Sequence, residues 1–120
     1  MKKQIRVGGS LREAAARVLD AWRRVERGRK VPAQDNVTFL TWSSLASVMT
    51  DRRHQLLRHL HRHPEPSIRA LARALGRDYK RVYEDVQALA AVGLLEKDGT
   101  MLRASYEEIQ ASISMSEIAA

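Results

Sequence analysis

The sequence predicts an α+β chain, mainly α, and three observations carry that prediction. Residues 67–75 and 78–92 are both amphipathic at helical spacing, and only Gly76 and Arg77 separate them. Directly after them, two short apolar runs flank Asp98-Gly99, a dipeptide favoured in β-hairpin turns. From residue 109 to 115, apolar and polar side chains alternate one by one, the period of a strand with one buried face. With a further helix before the pair, this order describes a winged helix-turn-helix that carries an N-terminal strand-helix-strand element and a C-terminal strand.

Taken in order, Gln4-Ile5-Arg6-Val7 alternates and predicts a short strand ended by Gly8-Gly9. Ser10-Leu11-Arg12-Glu13 fits the capping box, in which serine and glutamate reciprocally satisfy free amides at a helix start. Leu11, Ala14, Ala15, Val18, Leu19, Trp22 and Val25 then form an apolar stripe, so a helix is expected to about Arg27, stopping at Gly28. Its other face carries Arg12, Arg17, Arg23, Arg24 and Arg27. That face reads either as solvated, with Glu13, Asp20 and Glu26 among the arginines, or as a contact with DNA backbone.

Residues 29–36 read as a loop and a boundary. Residues 37–42 are rich in β-branched and aromatic residues and apolar on both faces, which predicts a strand covered on both sides. Residues 43–49 predict a short helix. Thr50 caps the next, in which Leu56, Leu57 and Leu60 face the core; it ends near His63, before Pro64-Glu65-Pro66 forces an extended link.

In the first helix of the central pair, Ile68, Leu71, Ala72 and Leu75 share one face, and Gly76 stops it because glycine tolerates the left-handed backbone of a helix end. Asp78 is expected to cap the second helix, where Tyr79, Val82, Val86, Leu89 and Ala90 line the inner side up to Gly93. At about 100° per residue, the opposite side carries Arg77, Lys80, Glu84 and Gln87, flanked by Arg81 and Tyr83. In the hairpin, Asp98-Gly99 predicts a type I′ turn, which needs positive φ at both central residues.

From Phe39 to about Met115 the chain resembles a family of small prokaryotic winged-helix DNA-binding regulators, akin to the MarR-like and ArsR-like groups. The stretches that carry the resemblance are Met49-Thr50-Asp51-Arg52-Arg53, Ser67-Ile68-Arg69-Ala70-Leu71-Ala72, Gly76-Arg77-Asp78-Tyr79 and Val92-Gly93-Leu94-Leu95. The resemblance implies sequence-specific DNA binding and repression. Some members look like antitoxins encoded beside a small toxin whose operon they control, which implies a toxin protein as a further partner.

Bulk composition agrees with a polyanionic partner or an acidic protein surface and does not choose between them. The 120 residues hold 21 Lys and Arg against 14 Asp and Glu, a net charge of +7. The charge is uneven: residues 93–120 carry two basic and five acidic side chains, so the tail is the part least expected to touch DNA. No cysteine is present, which excludes a disulfide framework or a thiolate metal site and suits a reducing cytoplasm. No apolar run approaches the roughly 20 residues of a membrane span, and Met1-Lys2-Lys3 is not followed by a signal-peptide core. A soluble, cytoplasmic protein without membrane contact is expected.

The expected DNA-contact set is Arg69, Arg73, Arg77, Tyr79, Lys80, Arg81, Tyr83, Glu84, Gln87, Lys97 and Arg103. Lys80, Glu84 and Gln87 would enter the major groove, where lysine donates to guanine, glutamine binds adenine at two points and glutamate accepts from cytosine N4. Arg69, Arg73, Arg77 and Arg81 are better placed for phosphates, and Tyr83 for sugar or phosphate. Lys97 and Arg103 on the wing would follow the backbone or enter the minor groove. For any one arginine the competing reading is plain solvation, with Asp85 pairing to one of them.

The expected organisation is residues 1–42 as a dimerising strand-helix-strand, 43–104 as the DNA-binding domain, and 105–120 as a strand and tail for dimerisation or partner binding. The strands at 4–7, 37–42 and 109–115 are expected to share a small sheet packed under the first helix, since isolated ribbons are marginal. A two-fold dimer reads two half-sites about 34 Å apart. His54, His59, His61 and His63 cluster, but no cysteine or third ligand completes a metal set, so no metal or other cofactor is expected. The adjacent carboxylates Glu84-Asp85 and Glu107-Glu108 diverge, and no nucleophile triad or phosphate loop is present, so no catalysis is expected. The alternative to a DNA-binding repressor is a winged-helix module that binds protein or RNA.

Overall fold

The computed structural model describes residues 2–8 and 36–115, together with the single positions Leu19 and Arg23, both helical. The expected helix over residues 10–27, with its capping box and arginine face, otherwise lies outside the described residues. The described elements are β1 (Lys2–Val7), β2 (Asn36–Phe39), α1 (Trp42–Val48), α2 (Asp51–Arg62), α3 (Ile68–Leu75), α4 (Tyr79–Ala91), β3 (Glu96–Asp98), β4 (Met101–Arg103) and β5 (Glu108–Ile113). The described residues fall into two compact units, one over residues 46–108 and the other containing residues 2–8, 36–45 and 109–115.

The first unit is a winged helix-turn-helix. Each of its helices opens on a side chain that accepts a hydrogen bond from an otherwise unpaired amide three residues on. Thr50 caps α2, Ser67 caps α3 and Asp78 caps α4, receiving the N–H groups of Arg53, Ala70 and Arg81. Gly76 closes α3 at φ +64° and ψ +35°, and its N–H reaches the carbonyls of Ala72 and Arg73. Only glycine adopts that left-handed geometry without Cβ crowding. The core is one apolar cluster: Leu56, Leu57 and Leu60 of α2, Leu71 and Ala72 of α3, Val82, Val86 and Leu89 of α4, and Leu94, Leu95, Leu102 and Tyr106 beyond them are all buried.

The wing pairs β3 with β4 antiparallel, Lys97 opposite Leu102 and Asp98 opposite Met101. Gly99 and Thr100 are therefore the two turn residues. Gly99 has φ +63°, and among the described residues no non-glycine residue has positive φ. Positive φ at the first central position alone is the type II′ pattern, so the expected type I′ turn on Asp98-Gly99 is corrected by one residue. The Pro64-Glu65-Pro66 link adds a third edge to the wing: Glu65 N–H donates to Leu102 O at 3.1 Å and Leu102 N–H returns to Glu65 O at 2.8 Å. Between two prolines, Glu65 alone has an amide to give.

The second unit contains a three-stranded sheet in the order β2-β1-β5, uniting the three strands expected to share a sheet. β1 and β2 run parallel, Ile5 beside Val37 and Val7 beside Phe39. A parallel pair needs a crossover of a dozen or more residues, and the 28 residues between Val7 and Asn36 supply that length. Lys3, Ile5, Val7, Val37 and Phe39 are buried.

Two expectations fail here. The strand expected at 37–42, covered on both sides, ends at Phe39 with Thr38 exposed; Leu40 and Trp42 are exposed as well, and Trp42 begins α1. In β5 the expected buried face is not buried within the chain: Ile109 is half-buried, while Ala111, Ile113 and Met115 are exposed. The alternation sets the face, and among the described residues nothing buries it.

Candidate nucleic-acid interface

Helix α4 presents two opposite sides. Val82, Val86 and Leu89 are fully buried, which turns Lys80, Glu84 and Gln87 outward, all three exposed. Arg81 and Tyr83 are exposed on the flanks. This is the arrangement in which a helix-turn-helix offers its second helix to a groove. Arg69 and Arg73, on α3, are exposed too.

Tyr79 departs from its expected place on the inner side. It is 48% exposed, its ring lies 6.2 Å from that of Tyr83 (43% exposed), and the Arg69 guanidinium sits 5.8 Å from the Tyr79 centroid. At the first helical position, Tyr79 extends past the apolar cluster that covers Val82. The result is an exposed aromatic pair with a cation over one ring, a geometry suited to sugar, phosphate or a base methyl.

Arg77, expected at the phosphates, is tied into the domain. Its Nη2 donates to Asp85 Oδ2 at 2.7 Å, and its side chain is 17% exposed. Asp85 Oδ1 accepts from Arg53 Nε at 3.0 Å. Arg53 in turn donates from Nη1 to the carbonyls of Ser47 at 3.3 Å and Val48 at 3.0 Å, satisfying the end of α1. Asp85 therefore engages two arginines where one was expected. Around this group, the exposed Arg52, Arg81 and Glu84 and the half-buried Arg53, Arg77 and Asp85 line a groove of about 420 Å³.

The wing residues Lys97 and Arg103 are exposed. Lys97 Nζ donates to Gln87 Oε1 at 3.1 Å, joining the wing to the outward side of α4. Behind the wing, buried Tyr106 donates its hydroxyl to Leu94 O at 2.6 Å. Burial, and then the neighbouring Glu96 carboxylate, push its phenol well above the ordinary tyrosine range.

The histidine cluster is used within the fold. His59 Nε2 lies 2.9 Å from Glu65 Oε1 and His61 Nδ1 lies 2.9 Å from Ala104 O, tying α2 to the link and to the chain after the wing. Among the described residues, no group of three His, Asp or Glu side chains is placed to hold a metal, and no helix is long and apolar enough to cross a membrane.

Sequence reasoning missed Arg53, whose role depends on a partner 32 residues away. Its place in the first turn of a capped helix was visible; the partner was not.

Among solved structures, the chain is similar to the solution structure of a homodimeric winged helix-turn-helix DNA-binding domain from Mycobacterium bovis, described as a possible ArsR-family transcriptional regulator. Identity is 28% over 82% of this chain and 74% of that one, with a TM-score of 0.45. The winged-helix assignment accordingly rests on the helix-turn-helix and hairpin geometry of this chain itself. No curated protein matches the sequence significantly. Residues 48–111, just over half of the chain and nearly all of the winged unit, match the family model HVO_A0114, and the chain belongs to that family.

Proposed function

We propose that this protein is a sequence-specific double-stranded DNA-binding transcriptional regulator, acting in the cytoplasm as a homodimeric repressor. The observation that carries the reading is the outward side of α4: Lys80, Glu84 and Gln87 are exposed together while the opposite side of the same helix is sealed in the core. Donors and acceptors of these types discriminate base edges in the major groove, and Arg69, Arg73 and Arg81 beside them supply salt-dependent phosphate contacts. Lys97 and Arg103 extend the basic surface onto the wing. In this reading residues 43–104 meet DNA, and residues 1–42 and 105–120 pair two copies; the exposed apolar side of β5 supports that assignment.

The antitoxin form of the reading adds a small toxin as partner and autoregulation of a shared operon. Its support is the sequence resemblance, and a toxin-like gene beside this one would strengthen it. A second reading, a protein-binding module, is favoured by the exposed Tyr79 and Tyr83 with Arg69, residue types that concentrate at binding hot spots.

Selection of duplexes from a random library, followed by binding measured across salt concentrations, separates the two readings. A regulator enriches one palindromic sequence and shows log affinity falling steeply with log salt. Enrichment of no sequence together with a shallow salt slope would leave the interaction module in its place.

A further inference from the structure

Lys97 is a basic wing residue, and the ordinary role for such a residue on DNA is attraction to phosphate. Its hydrogen bond says something more specific. The ammonium reaches across to α4 and donates to Oε1 of Gln87, an outward residue of the helix, at 3.1 Å. The strand that carries it is anchored: Lys97 stands opposite Leu102, which is buried and is bonded in both directions to Glu65.

A glutamine amide can present itself to a base in two senses, related by a half-turn that exchanges carbonyl and amino group. Lysine has only donors, so a lysine contact selects one sense: the carbonyl faces the wing. The two donors of Nε2, with the remaining lone pair of Oε1, are left for the groove. A long side chain that is otherwise free to rotate also loses rotamer freedom when it docks on a base, and a tether removes part of that loss beforehand.

We infer that Lys97 is a positioning residue for base recognition: it fixes the amide sense of Gln87, and so contributes to which base pair the protein prefers as well as to general affinity. The inference rests on the DNA-binding reading and deepens it by assigning one wing residue to specificity.

Two measurements on the full chain test it, and the first needs no DNA. In the free protein, relaxation of the Gln87 side-chain amide should show slower motion than that of Gln55, an exposed glutamine on α2. The difference should vanish in Lys97→Met, which keeps the aliphatic stem and removes the donor, and return in Lys97→Arg. Equal mobility of the two amides in the wild type overturns the inference, whatever the protein binds.

The second measurement is duplex selection with the wild type, Lys97→Met, Gln87→Ala and the double variant. The expected result is that Lys97→Met and Gln87→Ala both flatten preference at the same base pair, by roughly threefold to tenfold for the lysine change, and that the double variant is no flatter than Gln87→Ala. If Lys97→Met instead weakens all duplexes alike, with the sequence preference unchanged and the salt slope reduced by about one unit, Lys97 is a phosphate contact only and the inference is wrong. If the wild type enriches no sequence, the DNA-binding reading itself fails, an outcome distinct from both.

Discussion

Arg77, in the turn before the outward helix, donates to Asp85 two turns into that helix at 2.7 Å. Because Asp85 also holds Arg53 of α2 at 3.0 Å, one carboxylate connects the supporting helix α2, the turn and the outward helix α4. This connection and the apolar core together hold the side of α4 that displays Lys80, Glu84 and Gln87.

Removing that carboxylate should therefore cost stability. Asp85→Ala leaves two guanidinium groups facing each other with no counter-charge. Their side chains keep 17–19% exposure, so water offsets part of the penalty, and a loss of about 1–3 kcal/mol in urea denaturation is expected. Arg77→Met should cost less than Asp85→Ala, because Arg77 Nε and Nη1 are buried without a hydrogen-bond partner even in the intact protein. An equal or larger loss for Arg77→Met would contradict this account.

The turn between the two helices depends on glycine for its backbone alone. A Cβ added to Gly76 meets nothing within 4 Å, but φ is +64°. Gly76→Ala should therefore destabilise by about 1–2 kcal/mol, the cost of the left-handed conformation for an L-residue, and Gly76→Asn by less. Chemical denaturation of both variants checks the order.

Tyr106 should make stability fall at alkaline pH. Its phenol is raised in the folded state above its ordinary value of 10.0. The folded protein thus holds this proton more tightly than the unfolded chain; the stabilisation is complete below pH 10 and is lost as pH rises from there towards the folded value. Tyr106→Phe removes the bond to Leu94 O, costing about 1 kcal/mol at neutral pH. It should also give a flatter stability profile above about pH 10 than the wild type; parallel profiles would refute the linkage.

Side chains on α4 and α3 should separate in their effect on DNA. Lys80→Ala is expected to lower discrimination against mismatched sites by about 1–3 kcal/mol, whereas Arg69→Ala should weaken all duplexes alike and reduce the salt slope by about one unit. Competition binding with matched and scrambled duplexes at two salt concentrations distinguishes the two patterns.

The exposed side of β5 provides a test of the proposed dimer. Ile113 is 56% exposed, so Ile113→Asp should leave the fold of one copy intact. If this side pairs two copies, light scattering should report two chains per particle for the wild type and one for the variant, with unchanged circular dichroism. A wild-type mass of one chain at micromolar concentration would dispose of the dimer.

Much of this architecture is legible in the sequence alone. Thr50, Asp78 and Gly76 mark helix ends through contacts within four residues, and Leu56, Leu60, Val82, Val86 and Leu89 fall on one face by periodicity alone; all of these stand where the pattern puts them. The hairpin was legible as well, but its turn shifted by one residue because strand register, set by Leu102 entering the core, decides which two residues turn. Tyr79 is exposed against its periodicity because a residue at a helix start can share the apolar stripe and still lie past the edge of its cover.

What the sequence by itself determined is the set of local choices: where helices begin and stop, which side of each is apolar, and which segment carries an outward row of polar side chains. Those follow from interactions between residues one turn apart. Only the tertiary structure decided that Arg77 and Arg53 converge on Asp85, that Lys97 meets Gln87, and that Glu65 joins the wing. Each of these pairs depends on how whole elements pack against one another, and side-chain periodicity within a single element carries no information about its neighbour.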